Sequence, residues 1–130
     1  MELTHRHRRI IEVAYAVAIA GTGVRRNCIR HGAVLTDGNR IISAKHNSYK
    51  THPKAKFYHF APALHAEQAV LFHHGLDNCD GMTLYVVRVM GNGEFGYSNP
   101  CKVCRSIICM TGLKRVIYTV DKDNIEQWRL

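Results

Sequence analysis

Two short segments carry the imidazole, thiol and carboxylate groups whose spacing most restricts how this chain can fold. They are residues 64–67, with the sequence LHAE, and residues 100–104, with the sequence PCKVC. A proline suits the first turn of a helix, so the pattern predicts Cys101 and Cys104 at positions i and i+3 on one helical face. If His65 shares an ion with these two sulfur atoms, both segments must meet in space although they are far apart in the chain.

The chemistry of these groups favours zinc in a catalytic arrangement. One neutral imidazole and two thiolates form a ligand set typical of zinc, and a helix N-terminus favours the thiolate forms. Three protein ligands leave the fourth tetrahedral position to water, as in catalytic rather than structural sites. Glu67 lies two residues from His65. We therefore expect it to be a proton shuttle beside that water rather than a ligand.

A structural metal site or a redox pair is the main alternative for the Cys-x-x-Cys segment. The chain offers no second Cys-x-x-Cys and no His-x-x-x-His that would complete a four-ligand structural site. This favours the catalytic interpretation. The nine histidines leave a second zinc site open, although none of the others has a ligand spacing that supports one.

The composition of the 130-residue chain predicts a single domain, residues 1–130, with an anionic partner. Hydrophobic residues make up 46% of the chain, which is enough for a core without disulfide bonds. The formal net charge of +8 suits a nucleotide phosphate, a nucleic acid or another acidic surface.

The cysteines and the hydrophobicity pattern predict a cytoplasmic protein. Besides the two predicted metal ligands, the chain has Cys28, Cys79 and Cys109, for which we expect reduced, mostly buried thiols. We expect no secretory signal, because no such pattern opens the sequence. We also expect no membrane span, because no apolar run is long enough.

Hydrophobic periodicity and turn residues divide the chain into alternating helices and strands. Helices are predicted over residues 4–20, 65–75 and 101–110, with a short last helix over 121–128, and strands over 28–35, 40–44, 84–90 and 116–120. Thr4 is expected to cap the first helix, and the step from Asp37 to Gly38 predicts an antiparallel hairpin. The alternation predicts an α/β domain in three layers.

Residues 46–63 are predicted to form a long functional loop. Amide, hydroxyl and cationic side chains are mixed in this stretch, and a sugar-phosphate needs such groups. The candidate phosphate contacts are Asn47, Lys50, Thr51 and Lys54, together with Arg25, Arg26 or Arg115.

The order His-x-Glu and then Pro-Cys-x-x-Cys is that of zinc deaminases, and the chain resembles the zinc-dependent cytidine/deoxycytidylate deaminase superfamily. Residues 47–53 (NSYKTHP), 84–89 (LYVVRV) and 112–119 (GLKRVIYT) look closest to small phage-type deoxycytidylate deaminases. The resemblance implies a three-layer α/β/α cytidine-deaminase-like fold with a mixed central sheet of four to five strands. It also implies a homo-oligomer. Family members commonly continue into another helix and strand, which leaves the last strand and the subunit contacts open here.

The resemblance further implies a role for each residue of the site. His65, Cys101 and Cys104 would bind zinc, and Glu67 would be the general acid and base. Asn47 would hydrogen-bond the substrate sugar, while the backbone of Ala66 and of residues 98–101 would hold the pyrimidine. The expected substrate contacts are Asn47, Lys50, Ala66, Ser98, Asn99, Pro100 and Tyr118.

Together these observations predict a hydrolytic deaminase that converts a cytosine nucleotide to the uracil nucleotide with release of ammonia. The preferred substrate in this prediction is dCMP. A nucleoside, a free base or a guanine-type substrate also remains open.

Two other functions compete with this prediction. One is deamination of cytosine or adenine within single-stranded DNA or RNA, which needs a groove of aromatic and basic side chains. The aromatic residues Tyr49, Phe57, Tyr58 and Phe60 alternate with Lys50, Lys54 and Lys56 in the loop, although core packing and subunit contact are equally good roles for them. The other is a zinc-stabilised binding module without activity, against which the presence of Glu67 argues.

Overall fold

The computed structural model describes residues 1–21, 30–48 and 64–130. Its α-helices are α1 (His5–Ile19), α2 (Ala66–His74) and α3 (Lys102–Cys109), and a short 3-10 turn, Leu76–Asn78, follows α2. Its strands are β1 (Arg30–Asp37), β2 (Arg40–His46), β3 (Thr83–Val89), β4 (Phe95–Gly96), β5 (Arg115–Thr119) and β6 (Ile125–Arg129).

The strands form one mixed sheet in the order β2-β1-β3-β5-β6, and the two-residue β4 pairs with the end of β3. Strands β3 and β5 are parallel, whereas the other pairs are antiparallel. The five-strand path agrees with the predicted mixed sheet, to which β4 is an unpredicted addition. The predicted hairpin between β1 and β2 is confirmed, with Gly38 at φ +60° in its turn.

Helices cover both faces of the sheet, which confirms the three-layer α/β/α fold. On one face, α1 buries Ile10, Ala14 and Ala18 in a core cluster with residues of β1, β3 and β5. On the other face, α2 and α3 contribute Leu71 and Ile108 to a second cluster with strand residues. The larger of the two clusters therefore lies beneath the helices that begin at the two motif segments.

Helix α1 packs closely on β1 because a glycine stands at the contact. A Cβ atom at Gly32 would collide with the backbone carbonyl oxygen of Ala14. The helix begins where the sequence predicts, since Thr4 is its N-cap and forms a reciprocal capping box with His7.

The predicted helix over residues 121–128 is wrong, because this segment forms a turn and the edge strand β6. The Oδ1 atom of Asp121 accepts hydrogen bonds from the backbone N–H groups of Asp123 and Asn124, each at 2.9 Å. This side chain folds the backbone into a turn, a role for which Asp is well suited. The chain then returns antiparallel to β5, with Trp128 opposite Val116.

The expectation of mostly buried cysteines holds for Cys79 but is wrong for Cys109, which is exposed at the end of α3. Cys28 lies outside the described residues. None of the helices in the described part of the chain has both the length and the apolar character that crossing a bilayer requires.

The topology brings several strand ends to one edge of the sheet. Since β1 is antiparallel to both β2 and β3, and β3 is parallel to β5, the C-terminal ends of β2, β3 and β5 meet there. Ligands of open α/β sheets bind at this edge. We refer to it below as the carboxyl edge.

Candidate metal centre

His65 is the N-cap of α2, where the chain enters the helix from an extended conformation. Its backbone N–H donates to Oε1 of Gln68 at 3.2 Å, and this bond fixes the start of the helix. The imidazole is then turned toward α3, with Nδ1 at 3.2 Å from Sγ of Cys104.

The two cysteines meet at the N-terminus of α3, in a manner that corrects one detail of the prediction. Cys101 is the N-cap residue and not part of the helix, which begins at Lys102. Its Sγ accepts the backbone N–H of Cys104 at 3.5 Å. The two sulfur atoms converge because Cys101 caps the helix and Cys104, three residues further on, lies in its first turn. Cys101 is exposed and Cys104 is buried.

The spacing of the three ligand atoms fits a zinc ion. The Nδ1 atom of His65 lies 3.2 Å from Sγ of Cys104 and 3.6 Å from Sγ of Cys101, and all three atoms lie within 4.8 Å of one another. Tetrahedral zinc, with its usual Zn–N and Zn–S bond lengths, holds such atoms about 3.6 Å apart. Among the described residues this is the one group of His, Cys, Asp and Glu side chains placed to share an ion.

The pKa values of the two cysteine thiols are shifted in opposite directions. Hydrogen bonds from the Cys104 thiol, and from His65, lower the pKa of Cys101 to about 3. The same bond to Cys101, together with burial, raises the pKa of Cys104. The hydrogen bond to Cys101 also raises the pKa of His65. Zinc binds both sulfur atoms as thiolates, so binding of the ion releases the protons that the two cysteines hold in its absence.

Glu67 lies in the first turn of α2, directly beside the three ligands. It is 5% exposed, and burial raises the pKa of its carboxyl group. The Cys104 thiol is a hydrogen-bond partner of this carboxyl group, and the charge of His65 acts on it as well. A buried carboxyl group whose pKa is raised can both accept and donate a proton.

Two of the predicted substrate contacts also lie at the carboxyl edge. Asn47 directly follows β2, and its Oδ1 atom accepts the backbone N–H of His31 at 2.9 Å. Its own backbone N–H donates to the carbonyl of His31 at 3.2 Å, so the residue is tied to β1. Ala66 is buried in the first turn of α2, next to the ligand His65.

The turn before Cys101 is fastened to the sheet by Ser98. Its hydroxyl group donates to the carbonyl of Val86 at 2.8 Å and accepts the backbone N–H of Thr119 at 2.8 Å. Ser98 is 3% exposed. Pro100 is buried as well. These contacts to β3 and β5 fix where the first cysteine stands.

Asn99 and Tyr118 belong to a cluster of polar and aromatic side chains on the outer side of this turn. The Nδ2 atom of Asn99 donates to the hydroxyl oxygen of Tyr97 at 3.0 Å. The rings of Tyr97 and Tyr118 meet edge to face, with their centroids 6.3 Å apart. Arg105 donates to Oδ1 of Asn99 at 3.5 Å and lies over the ring of Trp128. We call these residues the Tyr97–Trp128 patch.

The remaining phosphate candidates divide into two groups. Lys50, Thr51, Lys54, Arg25 and Arg26 lie outside the described residues, as do the aromatic residues of the predicted loop. Arg115 is described, but its proposed place at the phosphate is wrong. It pairs with Thr83 at the opposite end of the sheet and contacts His7 and Gln127 there.

Sequence reasoning missed three residues at or near the centre, namely Gln68, His31 and Arg88. Gln68 is buried, and its Nε2 donates to Sγ of Cys104 at 3.6 Å. The pKa of His31 is lowered to about 4 by burial, by the charge of Arg88 and by that of His65. The one signal in the sequence was Arg88 itself, since it interrupts an otherwise apolar strand.

Comparison with known proteins agrees with this geometry. Residues 4–120 match the family model described as the cytidine and deoxycytidylate deaminase zinc-binding region. The chain belongs to this family. No curated protein matches the chain.

Membership of the deaminase family identifies the metal of the site as zinc, in agreement with the ligand set of one imidazole and two thiols. Deaminases of this family are zinc-dependent hydrolases that act on nucleotide or nucleic-acid substrates.

Proposed function

We propose that this protein is a hydrolytic deaminase that converts dCMP to dUMP and releases ammonia. The observation that carries the proposal is the meeting of His65, Cys101, Cys104 and the carboxyl group of Glu67 at the carboxyl edge. This arrangement offers three ligands to one ion and a buried acid beside them. A structural knuckle would need a fourth ligand in place of that acid.

In this proposal Glu67 moves every proton of the reaction. Zinc held by His65, Cys101 and Cys104 would lower the pKa of a water molecule at the site and so make it a nucleophile. Glu67 accepts a proton from this water and donates it to N3 of cytosine as the oxygen attacks C4. It then moves the second proton of that water to the exocyclic nitrogen, the C4–N4 bond breaks, and ammonia leaves. The carbonyl group of uracil forms at C4, and Glu67 returns to its starting state.

The remaining predicted contacts hold the nucleotide in this proposal. Asn47 binds the sugar, and the backbone of Ala66 and of the turn formed by Ser98, Asn99 and Pro100 holds the pyrimidine. Their location at the carboxyl edge supports these roles for the described residues. Lys50 and Tyr118 are assigned to the outer part of the substrate.

A second candidate function is deamination of cytosine or adenine within single-stranded DNA or RNA. The Tyr97–Trp128 patch favours it, since Tyr97 is 56% exposed and the guanidinium of Arg105 lies 4.8 Å from the centroid of the Trp128 ring. Exposed aromatic rings combined with arginine are what stacking of neighbouring bases requires. The patch adjoins Cys101 through Asn99, so a strand bound there would pass the metal centre.

The cellular setting follows from the ligands in this proposal. Two thiol ligands and the free thiols of Cys79 and Cys109 suit the reducing cytoplasm. We also propose a homo-oligomer, in keeping with the family resemblance.

The test is a substrate panel for the zinc-loaded protein. We expect uracil formation to be fastest with dCMP and slower with deoxycytidine and with a cytosine-containing oligonucleotide. Faster reaction of the oligonucleotide would favour the second candidate. Failure of the zinc-loaded wild type to deaminate any of the three would contradict both.

The matched control in this panel is Glu67→Gln. Because its amide cannot exchange protons, turnover falls by on the order of 10²–10⁴-fold, while the zinc content stays that of the wild type. Turnover unchanged in this variant would show that a contaminating enzyme, or another residue, does the chemistry.

A further inference from the structure

Arg88 and His31 form a basic pair on the sheet beside the metal centre. They are direct partners in the antiparallel pairing of β3 with β1. Alternate residues of a strand share a face. Arg88 therefore lies on the face of Val86, and His31 on the face of Ala33, both of which belong to the core cluster beneath α2 and α3. The two side chains thus project into the layer that contains the zinc ligands.

The pair lies close to both the predicted sugar contact and the metal ligands. Asn47 is hydrogen-bonded to the backbone of His31 on one side. On the other side, His31 is close enough to His65 and Cys101 for their charges to act on its imidazole. A nucleotide whose base reaches the zinc and whose sugar reaches Asn47 would therefore lie against this pair.

One buried donor of the pair lacks a hydrogen-bond acceptor. The Nε atom of Arg88 is buried and has no hydrogen-bond partner within the described ranges. In the same ranges the one ion pair joins the N-terminus to Glu126, so no carboxylate there neutralises Arg88. The charge of Arg88 is thus unpaired in these ranges, and a buried donor without an acceptor is unfavourable. An anionic ligand would supply both a counter-charge and an acceptor.

We propose that the Arg88–His31 pair binds the phosphate group of a nucleoside 5′-monophosphate and so selects nucleotides over nucleosides. A guanidinium group presents parallel N–H donors that match phosphate oxygens, and Nε provides one of them. The half-buried imidazole of His31 supplies a further donor beside it. The inference rests on the proposed function, since it names the substrate class of that same site.

Among the described residues, the one basic side chain that the sequence put forward for this role is not available to it. Arg115 is also strand-borne, but it lies at the opposite end of the sheet, where it contacts His7 and Gln127. Arg115→Gln is therefore a matched control for Arg88→Gln, because each removes one guanidinium from a strand of the same sheet.

The first measurement compares kcat/KM for dCMP with kcat/KM for deoxycytidine in the two variants and the wild type. We expect the ratio to fall by about tenfold or more in Arg88→Gln, the usual effect of losing one charge-assisted hydrogen bond. The ratio in Arg115→Gln should equal that of the wild type. An equal loss for both substrates in Arg88→Gln, or an unchanged ratio, would overturn the assignment.

The second measurement separates this inference from the proposed reaction. Calorimetric binding of dUMP and of deoxyuridine to zinc-loaded Glu67→Gln needs no turnover. We expect dUMP to bind more tightly than deoxyuridine, and Arg88→Gln added to this background to remove the difference. If the wild type shows no deamination and this binding pattern is nevertheless found, the proposed reaction is wrong and the phosphate site stands. If deamination occurs and dUMP binds no better than deoxyuridine, the phosphate site is wrong.

Arg88→Lys is a control for the possibility that Arg88→Gln disturbs the fold. It keeps the positive charge but loses the parallel donors, so we expect an intermediate ratio of dCMP to deoxycytidine. A ratio in Arg88→Lys below that of Arg88→Gln would contradict a charge-based contact. Tighter, Arg88-dependent binding of a cytosine oligonucleotide than of dUMP would overturn the monophosphate assignment in favour of a phosphodiester.

Discussion

Gln68 joins the two halves of the metal centre although it offers the ion no ligand. Its Oε1 accepts the backbone N–H of His65, and its Nε2 donates to Sγ of Cys104. The side chain is 1% exposed, so water does not replace these bonds if they are lost. Residues that orient metal ligands in this way contribute much of the affinity of a site.

We predict that Gln68→Leu weakens zinc binding by roughly 10–100-fold, because neither the start of α2 nor the Cys104 sulfur is then held in place. Competition with a chromogenic chelator measures this. Gln127→Leu is the control, since Gln127 lies on β6 and contacts Arg115 far from the centre. Equal zinc affinity in the two variants would show that Gln68 has no part in the site.

At the same scale, the residues that could be predicted from the sequence are those that form a recognisable local motif. His65, Glu67, Cys101 and Cys104 form a local pattern, and the structure brings them together. Gln68 could not be found in this way, because it acts through hydrogen bonds that exist only after α2 and α3 have packed. The pairing of Arg88 with His31 depends on strand register, which single-sequence patterns do not fix.

At the scale of elements, α1 and β6 show what local signals can and cannot decide. The cap at Thr4 is a local interaction, so the start of α1 was predictable. The segment 121–128 was not, because Ile125 and Trp128 suit one face of a short helix as well as they suit an edge strand. Pairing with β5 decides between the two, and that partner is a tertiary contact.

The cap of α1 makes its stability depend on pH. The backbone N–H of Thr4 donates to Nδ1 of His7, which therefore has to be unprotonated. Burial and the neighbouring charges of Arg115 and Arg6 lower the pKa of His7. The unfolded chain thus binds this proton more tightly than the folded protein. The contribution to stability is present above about pH 6.5 and is lost as the pH falls toward the lowered pKa.

We predict that lowering the pH from 7 to 5 reduces the free energy of unfolding more in the wild type than in His7→Gln, by on the order of 1 kcal/mol. Glutamine at this position keeps the capping box but does not titrate, so pH effects elsewhere cancel in the difference. Urea unfolding of both proteins at the two pH values measures it. If the difference in unfolding free energy between the two proteins does not change with pH, protonation of His7 does not control the stability of the cap.

At the scale of the whole molecule, the sheet topology is what creates the centre. Strands β2, β3 and β5 run in the same direction, so their C-terminal ends lie at one edge of the sheet. Helices α2 and α3 begin at this edge, with their N-termini toward the ligands. The positive ends of both helices favour the thiolate of Cys101 and any anionic substrate. The net charge of +8 acts in the same direction over a longer range.

The most direct test of the account is a zinc titration of deaminase activity. Protein stripped of metal with a chelator is supplied with increasing zinc, and ammonia release from dCMP is followed. We predict no turnover without zinc, a rise to a plateau at about one equivalent of zinc per chain, as a single three-ligand site requires, and no comparable turnover in Glu67→Gln at any zinc level. Full activity in the metal-free protein, or in Glu67→Gln at the plateau, would contradict the account.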